Sequence, residues 1–322
     1  SNASEYGTVI MTPLRGSNII LPNIPQVTIN GALICNGSDA DAWLAMTWNG
    51  IYGTIVAKTV NIKRNLIVAG GSLEFIYNTN TLQQLNIDGD VYVAPGAGID
   101  VWSGSANNIM SIGGSIYNNS NGVSTGSSRS HIRLRNGSQI CNVVFRGNRS
   151  AVVTNDPALS TTPVTIFNNV TIDKGNSPDT TITWNIGGTL TTLPDNWLTL
   201  LNGTLVYDRT GNFNISTTTD FTIPSTAGLT LNTPSNVYIS NSLSSETLYL
   251  NGRLRITGGG GNVYIGPAGN TVNNADIEYS GSGASLLEIK SGNLFVNGQI
   301  RRPPASTNGT LTYRQSGGNV FI

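Results

Sequence analysis

Between Leu85 and Val93 apolar residues occupy every second position around a central glycine: Leu85, Ile87, Val91 and Val93 flank Gly89. The stretch from Leu248 to Ile256 repeats this frame position for position around Gly252, with Leu248, Leu250, Leu254 and Ile256. A period of two is that of a strand with one buried face. Because the glycine keeps the parity, each stretch is predicted to bend at Gly89 or Gly252 without exchanging its faces. Less regular copies run through Val27–Cys35, Leu66–Phe75, Met110–Ile116, Thr199–Tyr207 and Leu287–Ile300. No stretch carries a helical period.

With the central glycine as marker, Gly89 and Gly114 are one unit apart, and Gly203, Gly252 and Gly298 are successively two units apart, for a unit of roughly 23–25 residues. A strand-rich repeat of that size predicts a β-solenoid, in which a turn cannot bury its apolar face alone and stacks on its neighbours. The chain has room for about 13–14 such coils. A leucine-rich repeat is excluded because its fixed asparagine consensus and helical segment are missing.

A second signature places asparagine just before a short strand that closes with glycine: Asn142 to Gly147, Asn169 to Gly175 and Asn274 to Gly281. Asparagine tolerates turn geometry and bonds its own backbone, so stacked coils can reuse it as a ladder. In these features the chain resembles right-handed parallel β-helix proteins of the pectate-lyase-like class, and more closely the Gly/Asn-rich repeat regions of large secreted bacterial surface proteins, the adhesins. The resemblance implies an all-β, right-handed parallel β-helix and an extracellular or cell-surface setting.

Residues 4–26 carry no clear repeat, and Pro13, Pro22 and Pro25 argue for an irregular entry or cap before a solenoid spanning 27–322. Ser1–Ala3 reads as the scar of an expression tag, so the absence of a signal peptide is uninformative. Interruptions are expected near 150–163 and 176–197, where Pro157, Pro163, Pro178 and Pro194 break the rhythm. The final GGNVFI stops inside strand-like sequence, which is read as a truncation of a longer solenoid; further repeats of the same parent protein are then expected partners.

Composition agrees with an ordered β-protein of low charge: 11% charged residues, 38 glycines and roughly 40 asparagines. Equal numbers of basic and acidic residues, 17 each, create no global field for nucleic acid, so none is expected as a partner. No apolar run is long enough to span a membrane. Cys35 falls on an inward position of its frame and reads as a buried thiol; a disulfide to the distant Cys141 is not favoured.

Asp88, Asp90 and Asp100 form the densest acidic group, with Asp276 and Glu278 a second; alternation points them all outward, where solvated decoration is the simplest reading. Asp88 and Asp90 would give a Ca²⁺ ion only two carboxylates, and no calcium-loop spacing occurs, so neither metal nor cofactor is expected. The pectin-hydrolase motifs of the resembled class are missing: the lone histidine lies in Ser130-His131-Ile132.

The unusual feature is basic. No acid occurs between Asp100 and Asp156, while Arg129, Arg133, Arg135, Arg146 and Arg149 crowd together. His131, Arg133 and Arg135 alternate with Ile132 and Leu134 and are expected to project together; guanidinium forks suit carboxylate or sulfate, so His131, Arg133, Arg135, Arg146 and Arg149 are candidate ligands for an acidic glycan. Tyr92 and Trp102, outward by alternation, are candidates for stacking on sugar, as are the outward Tyr249 and Tyr264. The expected function is a structural and adhesive segment that presents a surface to glycans. Polysaccharide-active enzyme and trimeric spike are the alternatives.

Overall fold

The computed structural model describes residues 3–39, 41–47, 53–76, 80–102, 107–122, 130–192, 194–216, 218–239, 246–268, 275–280, 284–303 and 308–322. Among these there is no helix, and the strands form a parallel β-solenoid of about 11 turns. The chain divides into two units: Ser1–Gly147 with Ala151–Val170 and Ile186–Leu193, and Asn148–Ser150 with Thr171–Asn185 and Pro194–Ile322.

In the first unit each coil contributes one strand to each of three parallel ladders. The first ladder stacks Gln26–Ile29, Lys58–Ile62, Gln83–Ile87, Asn107–Ile112 and Gln139–Gly147, so that Val27, Val60, Leu85, Met110 and Val143 stand in one inward row. The second aligns Leu33, Leu66, Val91, Ile116 and Val153. The third aligns Ile19, Leu44, Leu73, Ile99 and Ile132. Nearly all of these side chains are completely buried. Removal from water of each such aliphatic side chain contributes about 1.5–3 kcal/mol, which a single coil cannot obtain without its neighbours. Among the described residues one antiparallel pairing departs from the pattern, a hairpin of Arg135–Asn136 with Gln139–Ile140 turning through Gly137 at φ 63°.

The predicted frame is a corner between two ladders. Gln83–Ile87 lies in the first ladder and Val91–Val93 in the second, with Asp88–Gly89–Asp90 as the bend; Leu85, Ile87, Val91 and Val93 all face the core. A Cβ on Gly89 would meet the Arg64 carbonyl oxygen at 2.6 Å, so the preceding coil approaches too closely for any side chain. Gly252 occupies the same kind of corner, where a Cβ would strike the Pro224 and Ala227 carbonyls.

The second unit repeats the scheme with Leu205, Leu229, Leu254 and Leu287 in one inward row. Its next ladder stacks Phe213–Asn214, Val237–Ile239, Asn262–Ile265, Asn293–Val296 and Asn319–Phe321, and the following one Phe221–Ile223, Leu248–Leu250, Ile277–Glu278 and Ile300–Arg301. An aromatic cluster fills the core near its start: Trp184 stacks on Trp197 at 5.6 Å and Tyr207 on Phe213 at 4.1 Å. In the last coil the inward row changes from Leu287 and Ile289 to Tyr313 and Gln315, whose amide donates to the Gly318 carbonyl.

Two expectations are corrected. Coils are fewer than 13–14 because their length varies: the step is 25 residues from Asn61 to Asn86 but 33 from Asp100 to Arg133, the difference lying in the turns. Gly298 is not a copy of Gly252; it follows the Asn293–Val296 strand and packs against Ala275 and Asp276, at a different corner. The prolines near 150–163 and 176–197 sit outside the strands Ala151–Thr154, Val164–Phe167, Thr181–Asn185 and Thr189–Thr192, but the interruption expected there has a counterpart: the third ladder ends at Thr189–Thr192, and the chain passes from one unit to the other in this region. Cys35 and Cys141 are buried free thiols; burial pushes Cys35 up to about 11 and Cys141 well above the ordinary value.

Candidate functional site

The arginine-rich stretch does not form one exposed patch. Register places Ser72, Gly98 and His131 in one outward row of the third ladder, and Glu74, Asp100 and Arg133 in the next. Asp100, expected in solvent, is completely buried. Arg133 clamps it bidentately, Nε to Oδ1 at 2.8 Å and Nη2 to Oδ2 at 2.6 Å. His131 is also buried, over the side-chain-free Gly98, with Nε2 3.5 Å from Asp100 Oδ2. Burial raises the Asp100 carboxyl, but the His131 and Arg133 contacts outweigh it and hold the group below the usual carboxylate range. Ser72 donates to Glu74 Oε1 at 2.9 Å.

The other arginines are dispersed. Arg135 lies in the hairpin, Nη1 3.5 Å from Asn168 Oδ1. Arg146 reaches across Gly113 to Asp88, Nη2 to Oδ1 at 2.7 Å, and Lys63 approaches the same carboxylate at 3.4 Å. Burial raises Asp88, and the two cations more than offset this. Arg149 is exposed in a turn, and Arg129 lies outside the described residues.

Asp90 fastens one coil to the next. Its backbone N–H donates to Asn65 Oδ1, its own Oδ1 accepts from the Ser115 N–H at 2.8 Å, and Ser115 Oγ accepts from the Val152 N–H. Asparagine amides are used likewise, Asn86 to Asn61 and Asn168 to Asn142 at 2.7 Å; the ladder thus takes Asn168 rather than Asn169, and Asn274 and Gly281 lie outside the described residues. Asp276 and Glu278, expected in solvent, are buried and share Arg301 at 2.9 and 2.8 Å. Among the described residues no group of three or more His, Cys, Asp or Glu could hold a metal ion.

Tyr92 stacks on Tyr117 at 4.8 Å with ring planes 6° apart, so a coil neighbour already covers a ring face that a sugar would need. Tyr264 is held between Tyr238 and Phe295 at 5.0 Å each, and Tyr249 is half-buried with Asp220 and Glu278 nearby. Trp102 follows the strand Gly98–Val101 with 36% of its surface exposed.

A recess in the first unit was not foreseen. Where the second ladder turns into the third, two coils turn tightly, through Gly71 alone and through 94–97, while the coils on either side use longer turns, 37–42 and 119–131. The described residues of these turns border a recess of about 430 Å³. Ser38 and Asp39 line one side, Asn121 and Ser130 the other, with Gly71 and Gly96 between them. The Asn121 N–H donates to Ser130 Oγ at 2.8 Å. Asp39 Oδ1 accepts from the Asp41 N–H, and the exposed Arg15 lies 3.8 Å from its other oxygen. Recognising the recess from sequence would have required the strand register, because only register shows which turns are neighbours.

Comparison with protein-family models, curated proteins and solved structures finds no match. What holds of the expected resemblance is the architecture, a parallel β-solenoid.

Proposed function

We propose that the chain is a structural and adhesive segment of an extracellular or cell-surface protein, holding fixed outer faces toward glycans. The observation that carries this reading is the relay Asn65–Asp90–Ser115–Val152, in which side chains of one coil bond the backbone of the next. Each such bond contributes about 1 kcal/mol, and together they stiffen a stack whose exposed faces can then be presented without rearrangement. Buried pairs such as Asp100–Arg133 serve the same end.

The test is to immobilise the chain and pass a broad panel of neutral, uronate-containing and sulfated glycans over it. Retention of at least one class is expected, together with an unfolding midpoint that drops in Asp90→Ala. No retention of any class would remove the adhesive half of the reading, and an unchanged midpoint the structural half.

A further inference from the structure

We infer that the chain assembles head to tail, the first coil of one copy adding as a further coil to the last coil of another. The partner is a second copy of this chain, and the inference goes beyond the glycan-presenting reading without depending on it.

Both surfaces are open ladder ends. Val9–Met11 and Asn18–Ile20 pair on one side only, with Leu33–Asn36 and Trp43–Ala45, and Thr310–Gln315 and Asn319–Phe321 do so with Ala284–Ile289 and Asn293–Val296. The free side of each strand presents backbone N–H and C=O groups that take up another strand unless charge, proline or a covering segment prevents it. These four strands contain no proline and a single charge, Arg314. Val9, Met11 and Ile19 stand in inward rows with the buried Leu33, Cys35 and Leu44, yet are only half-buried, and Tyr313 and Gln315 are exposed although they follow the buried Leu287 and Ile289. Of the nine large hydrophobic side chains exposed among the described residues, six lie in these two coils: Tyr6, Ile10, Leu14, Tyr313, Phe321 and Ile322. An apolar recess of about 140 Å³ between Tyr6, Val9, Met11, Leu21, Val27 and Ile29 marks where the core of the first coil is left unfilled. Apolar surface concentrated at two ladder ends is the signature of a contact surface.

The two ends match in register. Met11, in the row of Cys35, Val68 and Val93, is the last inward residue before the turn to the third ladder, and Gln315, in the row of Ile289, holds the same place in the last coil. Aligning those turns sets Val9 on Tyr313, Ile10 on Arg314 and Met11 on Gln315; across the turn it sets Asn18 on Asn319, Ile19 on Val320 and Ile20 on Phe321. The amide ladder fixes which end follows which. Asn293 donates to Asn262 and Asn319 to Asn293, at 2.8 and 2.9 Å, each time from the later coil to the earlier, so Asn319 Oδ1 is the next acceptor and Asn18 Nδ2 the donor that meets it. Ile20 covers the outer face of Phe321, the end of a row of stacked rings, and Ile10 receives the stem of Arg314. The contact thus continues ladders that already join coil to coil within the chain. Because its two surfaces differ, it is heterologous and adds copy after copy unless a ring closes.

The experiment is sedimentation velocity of the full chain over a concentration series. The wild type is expected to pass from monomer to dimer and longer species as concentration rises. Ile10→Arg, at a side chain 64% exposed, sets a like charge against Arg314 and should weaken association by about tenfold or more, whereas Ile10→Glu should strengthen it. Phe321→Arg blocks the other end, and Asn319→Arg blocks it without touching the ring row. At concentrations where the wild type associates, each blocked variant alone should stay monomeric. An equimolar mixture of Ile10→Arg with either last-coil variant should form dimers that grow no further, since one open end of each kind remains. A wild type monomeric at every concentration, growth that survives both blocks, or a mixture that stays monomeric although its members melt as the wild type does would overturn the inference.

Discussion

The ladder that follows the second strand of each coil carries opposite solutions in the two units. In the first, its outward row reads Glu74, Asp100, Arg133; in the second, it reads Tyr238, Tyr264, Phe295, Phe321, stacked at 5.0, 5.0 and 4.6 Å. Parallel stacking sets equivalent side chains ~4.8 Å apart, a distance at which aromatic faces attract each other coil after coil. Like charges at that spacing repel, so the adjacent acids Glu74 and Asp100 depend on the cation Arg133 in the following coil. The row Arg255, Glu288, Arg314 alternates in sign, with Arg255 Nε 3.1 Å from Glu288. A ring row can therefore be extended by repetition, whereas a charged row is tied to the coils that balance it.

The largest effect should come from breaking the charged row. Asp100→Ala leaves Arg133 half-buried without its partner and should cost about 3–5 kcal/mol in chemical denaturation, more than any single ring removal in the aromatic row. A loss below 1 kcal/mol would make the row ornamental. Since the Asp100 pKa is lower folded than unfolded, its contribution is present above the ordinary carboxylate pKa and disappears as pH falls through the folded value, so the acid limb of stability should flatten in Asp100→Asn.

Lys58 sharpens the contrast between a buried charge with a counter-ion and one without. Its Nζ donates only to the Leu21 and Met46 carbonyls, at 3.2 and 2.6 Å, and burial lowers its pKa from 10.5 to about 8. The neutral amine still has two N–H groups for those two acceptors. Between these values the unfolded chain binds the extra proton, so stability should rise with pH, by about 3 kcal/mol relative to Lys58→Met compared over pH 8 to 10.5. Parallel pH profiles for the two proteins would refute the assignment.

In the aromatic row, Tyr264→Leu keeps most of the buried area but loses two stacked neighbours, and should cost about 1–2 kcal/mol with little dependence on salt or pH. The smallest effect is expected at the exposed staple: Asp88→Asn should cost less than about 1 kcal/mol, and the cost should shrink further in high salt. A larger, salt-independent loss there would mean that Arg146 acts through packing instead of charge.

Alternation in the sequence disclosed which way each side chain leaves its own strand, and the corners at Gly89 and Gly252 were legible for that reason. It could not disclose whether an outward side chain meets solvent. Asp100, Glu278 and His131 leave their strands on the predicted parity and are nevertheless buried. Coil number was misjudged for a related reason, since turn insertions such as 119–131 change the period without touching the strands. The recess is a product of those turn lengths, and the arginines drew attention because their partners, Asp100 for Arg133 and Asp88 for Arg146, are distant in the chain.

The central claim is that outward charges are staples between coils and not a free basic surface. A double-mutant cycle on Asp100→Asn and Arg133→Met, read by denaturation, tests it most directly. The account predicts strong coupling, about 2 kcal/mol or more, with the double variant far less destabilised than the two single losses added together. Additive losses with coupling near zero, accompanied by loss of glycan retention in Arg133→Met alone, would contradict it.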